Sequence, residues 1–198
     1  DGISALGAVE LPMDKIGIDV LVTASQKAWM APPGISMIAV SNKAWDYHKT
    51  AKMPHYYFDL TMFKEFSQKF QTPATPAVSV LFALDASLQM MRKEGRTKVF
   101  QRHLNLMKDL RRGVRKLDLE LFVGDECASP TVTSIKVPAG IEAKNWLEML
   151  KEKYKTELAG GMGQTKGKII RIAHLGFVSK KDIVIVLDAL KKSWKELK

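Results

Sequence analysis

The chain has 198 residues, of which 46% are hydrophobic and 26% are charged. This composition is typical of a folded globular protein and excludes a disordered chain, a collagen and a low-complexity repeat. The length allows one or two domains with a buried core, and no apolar run approaches the ~18 residues of a membrane-spanning helix. The single cysteine, Cys127, cannot form a disulfide within the chain, which favours a reducing, cytoplasmic location.

Basic residues exceed acidic ones, with 31 Lys and Arg against 21 Asp and Glu and a formal net charge of +10. Such a surplus is found in proteins that bind nucleic acids or membrane surfaces. The densest basic cluster, Arg111–Lys116, has no interleaved aromatic side chains of the kind that stack on bases. We therefore expect neither a nucleic acid nor a membrane as a partner.

The first part of the chain combines short apolar runs with one long helical pattern. The β-branched run at 18–24 is typical of a buried strand, and Pro76 suits the first turn of the helix that follows it. The predicted elements are strands at 18–24 and 35–40, helices at 42–50 and 77–94, and loops at 55–58 and 71–76.

The second part begins after Gly95, which predicts a helix break. The predicted elements are helices at 96–117, 143–154 and from 180 onward, and strands at 119–123, 131–137 and 168–175. In the last helix an apolar stripe predicts the buried face; its members are Ile183, Leu187, Leu190, Trp194 and Leu197. The pattern suggests two units, a strand-rich part to about residue 85 and an α+β domain from about residue 95 onward.

Several kinds of catalytic site are not supported by the sequence. The histidines have none of the spacings that build a metal site; they are His48, His55, His103 and His174. His103 lies in a helical pattern, so we interpret it as a packed or surface residue. The glycine-rich segment 160–168 departs from the Walker and dinucleotide-binding patterns, and no G-x-S-x-G elbow occurs. We expect no bound metal and interpret 160–168 as a loop that leads into a strand.

Lys27 is a better candidate because it follows the end of an apolar strand, after Ser25 and Gln26. Ligands bind at strand ends in α/β sheets, and a partly dry pocket there would favour the neutral, nucleophilic amine of a lysine. Most lysines, however, are solvated surface residues. Position alone leaves both interpretations open.

Longer stretches of the chain resemble a known family. Asp1–Gly7 and the run Ser25–Gly34 closely resemble class V pyridoxal-phosphate aminotransferases, and the similarity continues through 72–75, 130–133 and 167–172. The nearest branch is similar to alanine–glyoxylate and serine–pyruvate aminotransferases, and proteins labelled soluble hydrogenase small subunit share the signature. The resemblance implies the α/β fold-type I architecture. Residues 1–94 would be the latter part of the large cofactor domain with the connecting long helix, and 95–198 the small C-terminal α+β domain.

The resemblance also implies roles for individual residues around pyridoxal 5'-phosphate. Lys27 matches the lysine that binds the cofactor covalently and moves the substrate proton, and Asp1 matches the carboxylate that pairs with the pyridinium nitrogen. Arg171 matches the arginine that clamps the substrate carboxylate, a task that suits its bidentate fork. The cofactor phosphate would be contacted by Gln26 and, from the neighbouring subunit of a homodimer, by Thr72 and Thr75.

The implied reaction transfers an amino group from a small amino acid, alanine or serine, to a 2-oxo acid, glyoxylate or pyruvate. Because the chain opens directly at Asp1, we expect an N-terminal half to be missing and this piece alone to be inactive and to bind the cofactor weakly. Two alternatives stay open: a non-catalytic, basic, hydrogenase-associated subunit, and another class V enzyme such as a phosphoserine or aminoethylphosphonate aminotransferase. A cysteine desulfurase is disfavoured because Gln26 stands where that branch has a histidine.

Overall fold

A two-stranded antiparallel ribbon forms the centre of the first part of the chain. The structure is a computed structural model that describes residues 1–197. Strand β1 (Val20–Ala24) pairs with β2 (Ser36–Val40) so that Val22 lies opposite Ile38. The helices of this part are α1 (Met13–Ile16), α2 (Asn42–His48), α3 (Leu60–Gln68) and α4 (Val78–Glu94). Both strands and α4 confirm the sequence prediction.

Side-chain caps begin the two short helices that follow the ribbon. The Ser41 hydroxyl accepts a hydrogen bond from the Ala44 amide at 3.1 Å and donates one to Asp19 Oδ1 at 2.8 Å, which ties the start of α2 to the start of β1. In α3, Asp59 accepts from the Thr61 amide at 2.9 Å. Helix α3 was not predicted from the sequence. None of its residues is buried, although Met62, Phe63 and Phe66 recur at the three- and four-residue spacing of a helix face.

The second part is a three-stranded antiparallel sheet covered by helices, with strand order β3-β5-β4. Its elements are α5 (Arg96–Lys116), β3 (Val132–Lys136), α6 (Ala143–Glu152), β4 (Ala159–Gly160), β5 (Ile169–Ala173) and α7 (Lys180–Leu197). Fully buried side chains from every layer meet in one core; among them are Leu110, Ile135, Trp146, Ile170 and Leu190. The indole N–H of Trp146 donates to the buried Ser193 hydroxyl at 2.9 Å.

The predicted strand at 119–123 is the main error in this part. Only an isolated bridge between Leu121 and Ile135 forms there. The buried Arg111 explains why pairing stops, because its guanidinium donates to Val123 O at 2.8 Å and to Asp125 Oδ1 at 2.8 Å. These bonds draw the chain into the 3₁₀ turn Asp125–Cys127. Within the segment 160–168, Gly160 belongs to β4 and Gly163–Thr165 forms a second 3₁₀ turn.

Helices α4 and α5 meet at Gly95 without a linker. The Gly95 amide donates to Met91 O at 2.9 Å, and its carbonyl accepts from the Val99 amide at 3.0 Å. With φ of 92° and ψ of 131°, Gly95 leaves the helical region, so the predicted break is confirmed. The predicted stripe of α7 is also confirmed, because Ile183 and Leu190 are buried and Leu187 packs on the core.

Within residues 1–197, no helix has both the length and the apolar character needed to cross a membrane. The same residues contain no group of three or more histidine, cysteine or carboxylate side chains placed to hold a metal ion.

Candidate active site

Lys27 lies in a long turn, residues 25–35, that connects β1 to β2 and is called the Lys27 turn below. Ser25 closes this turn at its base and is completely buried. Its amide donates to Ile35 O and its carbonyl accepts from the Ala31 amide, both at 3.0 Å. Its hydroxyl donates to Pro32 O at 2.6 Å and accepts from the Ile35 amide at 3.3 Å. The two ends of the turn are therefore fixed to each other, and Lys27 projects from a defined backbone.

Trp29 anchors the same turn to β1 and α4. Its indole N–H donates to the buried Thr23 hydroxyl at 2.9 Å. Its carbonyl accepts from the Ser87 hydroxyl on α4 at 2.6 Å. A groove of about 500 Å³ lies beside Trp29, lined by α4, α5 and residues 6–12. None of the predicted site residues lines this groove, so it is separate from the candidate site.

Asp1 lies beside the middle of β1. The neighbouring Gly2 amide donates to Val22 O at 2.9 Å, which places residue 1 next to the strand that leads to Lys27. The Asp1 carboxylate is exposed and accepts a hydrogen bond from the Ile3 amide at 2.8 Å. Asp1 and Lys27 are therefore linked through β1: the residue after Asp1 hydrogen-bonds to this strand, and Lys27 follows its end.

Arg171 lies in β5, opposite Ser134 of β3 and Ala159 of β4. Its half-buried side chain donates from Nε to Gly160 O at 2.8 Å. Its two terminal nitrogens have no hydrogen-bond partner in the described part of the chain. One edge of the guanidinium is therefore fixed, and the nitrogens that form a bidentate fork are free for a carboxylate.

The segment that follows β5 contacts the Lys27 turn at Gly176. A Cβ built on this buried glycine would lie 3.0 Å from the Lys27 carbonyl oxygen and 4.0 Å from Ala28 Cα. Arg171 precedes Gly176 on the same segment. The fold therefore brings the Arg171-bearing segment into backbone contact with the Lys27 turn. No role was predicted for Gly176, although a glycine near the end of a strand can mark a close approach of two backbones.

The remaining predicted residues are exposed. Gln26 lies in the Lys27 turn itself. Thr72 donates from its hydroxyl to Ala74 O at 2.7 Å, and Thr75 lies nearby in the loop before α4. Among residues 1–197, no hydrogen bond joins either threonine to the Lys27 turn.

The chemistry of these side chains fits pyridoxal phosphate. The Lys27 amine has no hydrogen bond or ion pair within residues 1–197, so it is available to an aldehyde. The Asp1 carboxylate is available to a protonated ring nitrogen, and Gln26 and Thr75 offer uncharged donors to a phosphate.

Comparison with known proteins agrees with this fit. The family model described as aminotransferase class V matches residues 1–171, and the chain belongs to the class V aminotransferase family. It is 43% identical to the soluble hydrogenase small subunit of Synechococcus sp. over all of this chain and 51% of that protein. Identity to L-aspartate–glyoxylate aminotransferase of Paracoccus denitrificans is 36%, over 89% of this chain and 45% of the relative.

Among solved structures, alanine–glyoxylate aminotransferase from Nostoc sp. superposes with a TM-score of 0.93 at 26% identity, over 98% of this chain and 52% of that one. The expected fold-type I architecture is confirmed, and pyridoxal phosphate is the cofactor of this family. The chain spans about half the length of the curated relatives it matches.

Proposed function

We propose that the protein containing this chain is an aminotransferase that uses a small amino acid, alanine or serine, as donor and glyoxylate or pyruvate as acceptor. The observation that carries the proposal is the unpartnered Lys27 amine on a fixed turn, in backbone contact with the segment that bears Arg171. Two of the relatives are named for glyoxylate, which supports that acceptor.

Each residue would hold one part of the cofactor. Lys27 would hold its aldehyde carbon and Asp1 its ring nitrogen, while Gln26 and the two loop threonines, Thr72 and Thr75, would contact the phosphate. When bound, the cofactor supplies an electron sink for the carbon that loses its proton. Since both threonines are exposed, we further propose that they serve the neighbouring subunit of a homodimer.

Lys27 is the group that moves protons. In the first half-reaction its Nζ takes the proton from the substrate Cα, as general base, and then delivers a proton as general acid. In the second half-reaction the same nitrogen returns a proton to the Cα of the new amino acid. The hydrogen bonds of Ser25 fix the backbone that carries Lys27. A catalytic group held in a fixed position next to its substrate reacts much faster than one that moves freely.

Arg171 orients the substrate. Its free terminal nitrogens can donate hydrogen bonds to both oxygens of an α-carboxylate, while the bond from Nε to Gly160 O holds the plane of the guanidinium. Both the amino donor and the oxo-acid acceptor carry such a carboxylate, so one arginine serves both half-reactions. Two half-reactions at one site predict ping-pong kinetics.

The test is a pair of lysine variants in the full-length protein. Wild-type protein mixed with alanine or serine, without an oxo acid, should show an amino-acid-dependent change in cofactor absorbance. Borohydride reduction followed by peptide mass analysis should place the cofactor on Lys27. K27A should lose the label and the turnover, whereas K15A, which changes an exposed lysine of α1, should keep both. Steady-state turnover in K27A would contradict the proposal.

A second candidate is a non-catalytic subunit that binds an acidic partner. The relative named as a soluble hydrogenase subunit and the net charge of +10 favour it. It predicts partner binding that weakens steeply with salt, together with no response of the cofactor absorbance to any amino acid. The half-reaction with alanine or serine separates the two candidates.

A further inference from the structure

Two consecutive residues of α5, Arg102 and His103, hold the backbone of Gly176 from both sides. His103 is completely buried and its Nε2 accepts a hydrogen bond from the Gly176 amide at 3.0 Å. An acceptor nitrogen carries no proton, so the ring proton lies on Nδ1, which donates to Val99 O at 2.8 Å. Burial lowers the pKa of His103, which keeps the ring in this neutral form.

Arg102 holds the opposite polar group of the same residue. Its Nη1 donates to Gly176 O at 2.9 Å and to Val178 O at 3.1 Å. Its Nε and Nη2 donate to the two carboxylate oxygens of Glu94 at 2.7 Å and 3.1 Å. This bidentate pair fixes the guanidinium, so the end of α4, α5 and the segment after β5 are joined at one point.

Gly176 has a φ of +78° and packs directly on the Lys27 carbonyl oxygen. No side chain lies between the two backbones, since even a Cβ would approach that oxygen to 3.0 Å. The hydrogen bonds to Gly176 therefore determine where the Lys27 turn meets the segment that carries Arg171. Neither Arg102 nor His103 hydrogen-bonds to Lys27 or Arg171 in the described residues.

We infer that Arg102 and His103 are positioning residues: by holding both backbone polar groups of Gly176, they set the separation between the Lys27 amine and the Arg171 guanidinium. The inference rests on the proposed transamination, in which Lys27 must reach the Cα of a substrate whose carboxylate is bound at Arg171. A displacement of about 1 Å between such groups lowers rates by up to ~100-fold.

The experiment uses the full-length protein with three histidine variants. H103L removes the acceptor for the Gly176 amide, whereas H103Q restores an acceptor through its side-chain oxygen. H174L is the matched control, since His174 is equally buried but its Nε2 bonds to the Thr133 hydroxyl and not to Gly176. The readouts are hydrogen exchange of the amides at 174–178, borohydride labelling of Lys27, and kcat and KM for the amino donor.

H103L should speed exchange of the Gly176 amide by about tenfold or more and lower kcat/KM by about 10- to 100-fold, while Lys27 remains labelled. H103Q should recover most of kcat/KM, and H174L should leave exchange at Gly176 near the wild-type rate. R102K, which keeps the charge but loses the fork, should change both readouts in the same direction as H103L. It provides the same test on a partly exposed residue if H103L does not fold.

Wild-type kcat/KM in H103L and R102K would overturn the positioning role. So would equal losses in H103L and H174L, because those would reflect general loosening of the core. A wild-type protein without any amino-donor reaction would overturn the proposed function and the inference together. An active wild type with unaffected variants would overturn the inference alone.

Discussion

Gly176→Ala should destabilise the protein more than the same change at a glycine of similar conformation. Gly140 is the matched control: its φ is +82° against +78° for Gly176, but a Cβ there would meet no atom within 4 Å. An alanine at either position must adopt the left-handed region, which costs the folded state about 1–2 kcal/mol. This cost is partly offset by about 0.4–1 kcal/mol, because alanine lowers the conformational entropy of the unfolded chain. We therefore expect G140A to lower the free energy of unfolding by about 1 kcal/mol.

At Gly176 the added Cβ also meets the Lys27 carbonyl oxygen at 3.0 Å in a buried position. Overpacking of this kind adds about 1–3 kcal/mol, so G176A should lose about 2–4 kcal/mol in total. Urea unfolding of the wild type and both variants, followed by circular dichroism, measures the difference. Equal losses in G140A and G176A would refute the close approach of Gly176 to the Lys27 turn.

Three further outcomes are expected. S193A leaves the buried indole N–H of Trp146 without its acceptor, so urea unfolding should show a loss of about 1–3 kcal/mol. Burial lowers the pKa of His174 from 6.5 to about 4, so the unfolded chain binds a proton at this residue before the folded protein does as the pH falls. The free energy of unfolding should therefore drop by about 3 kcal/mol between pH 7 and pH 4, and by less in H174L. R171K keeps the charge but loses the bidentate fork, so steady-state kinetics should show KM for the amino donor raised about tenfold or more with little change in cofactor binding.

The sequence predicted those elements whose patterns are local. The apolar run before Lys27 and the long helical patterns on either side of Gly95 carry enough periodicity to predict β1, α4 and α5. Helix α3 was missed although Phe63 and Phe66 lie at helical spacing, and it buries none of its residues. The predicted strand at 119–123 is wrong because hydrogen bonds from the buried Arg111 to residues 123 and 125 redirect the chain. No local sequence pattern encodes these bonds.

For the candidate site, the roles of Lys27, Asp1 and Arg171 came from family resemblance. A lysine after a strand or an arginine within a strand is common in α/β proteins, so position alone does not mark these residues as functional. The packing of Gly176 on the Lys27 turn joins residues far apart in the chain, and a single sequence contains no signal for such a pairing. The division into domains at 94 and 95 stays a prediction.

The direct junction of α4 and α5 at Gly95 makes this part of the chain intolerant of length changes. Each residue inserted into a helix turns everything beyond it by about 100°. An extra residue just after Gly95 would therefore swing Arg102 away from Glu94 and carry the His103 ring off the Gly176 amide. Engineered splits, tags or duplications that succeed in surface loops should fail at this junction, whereas substitutions that preserve the count should be accepted.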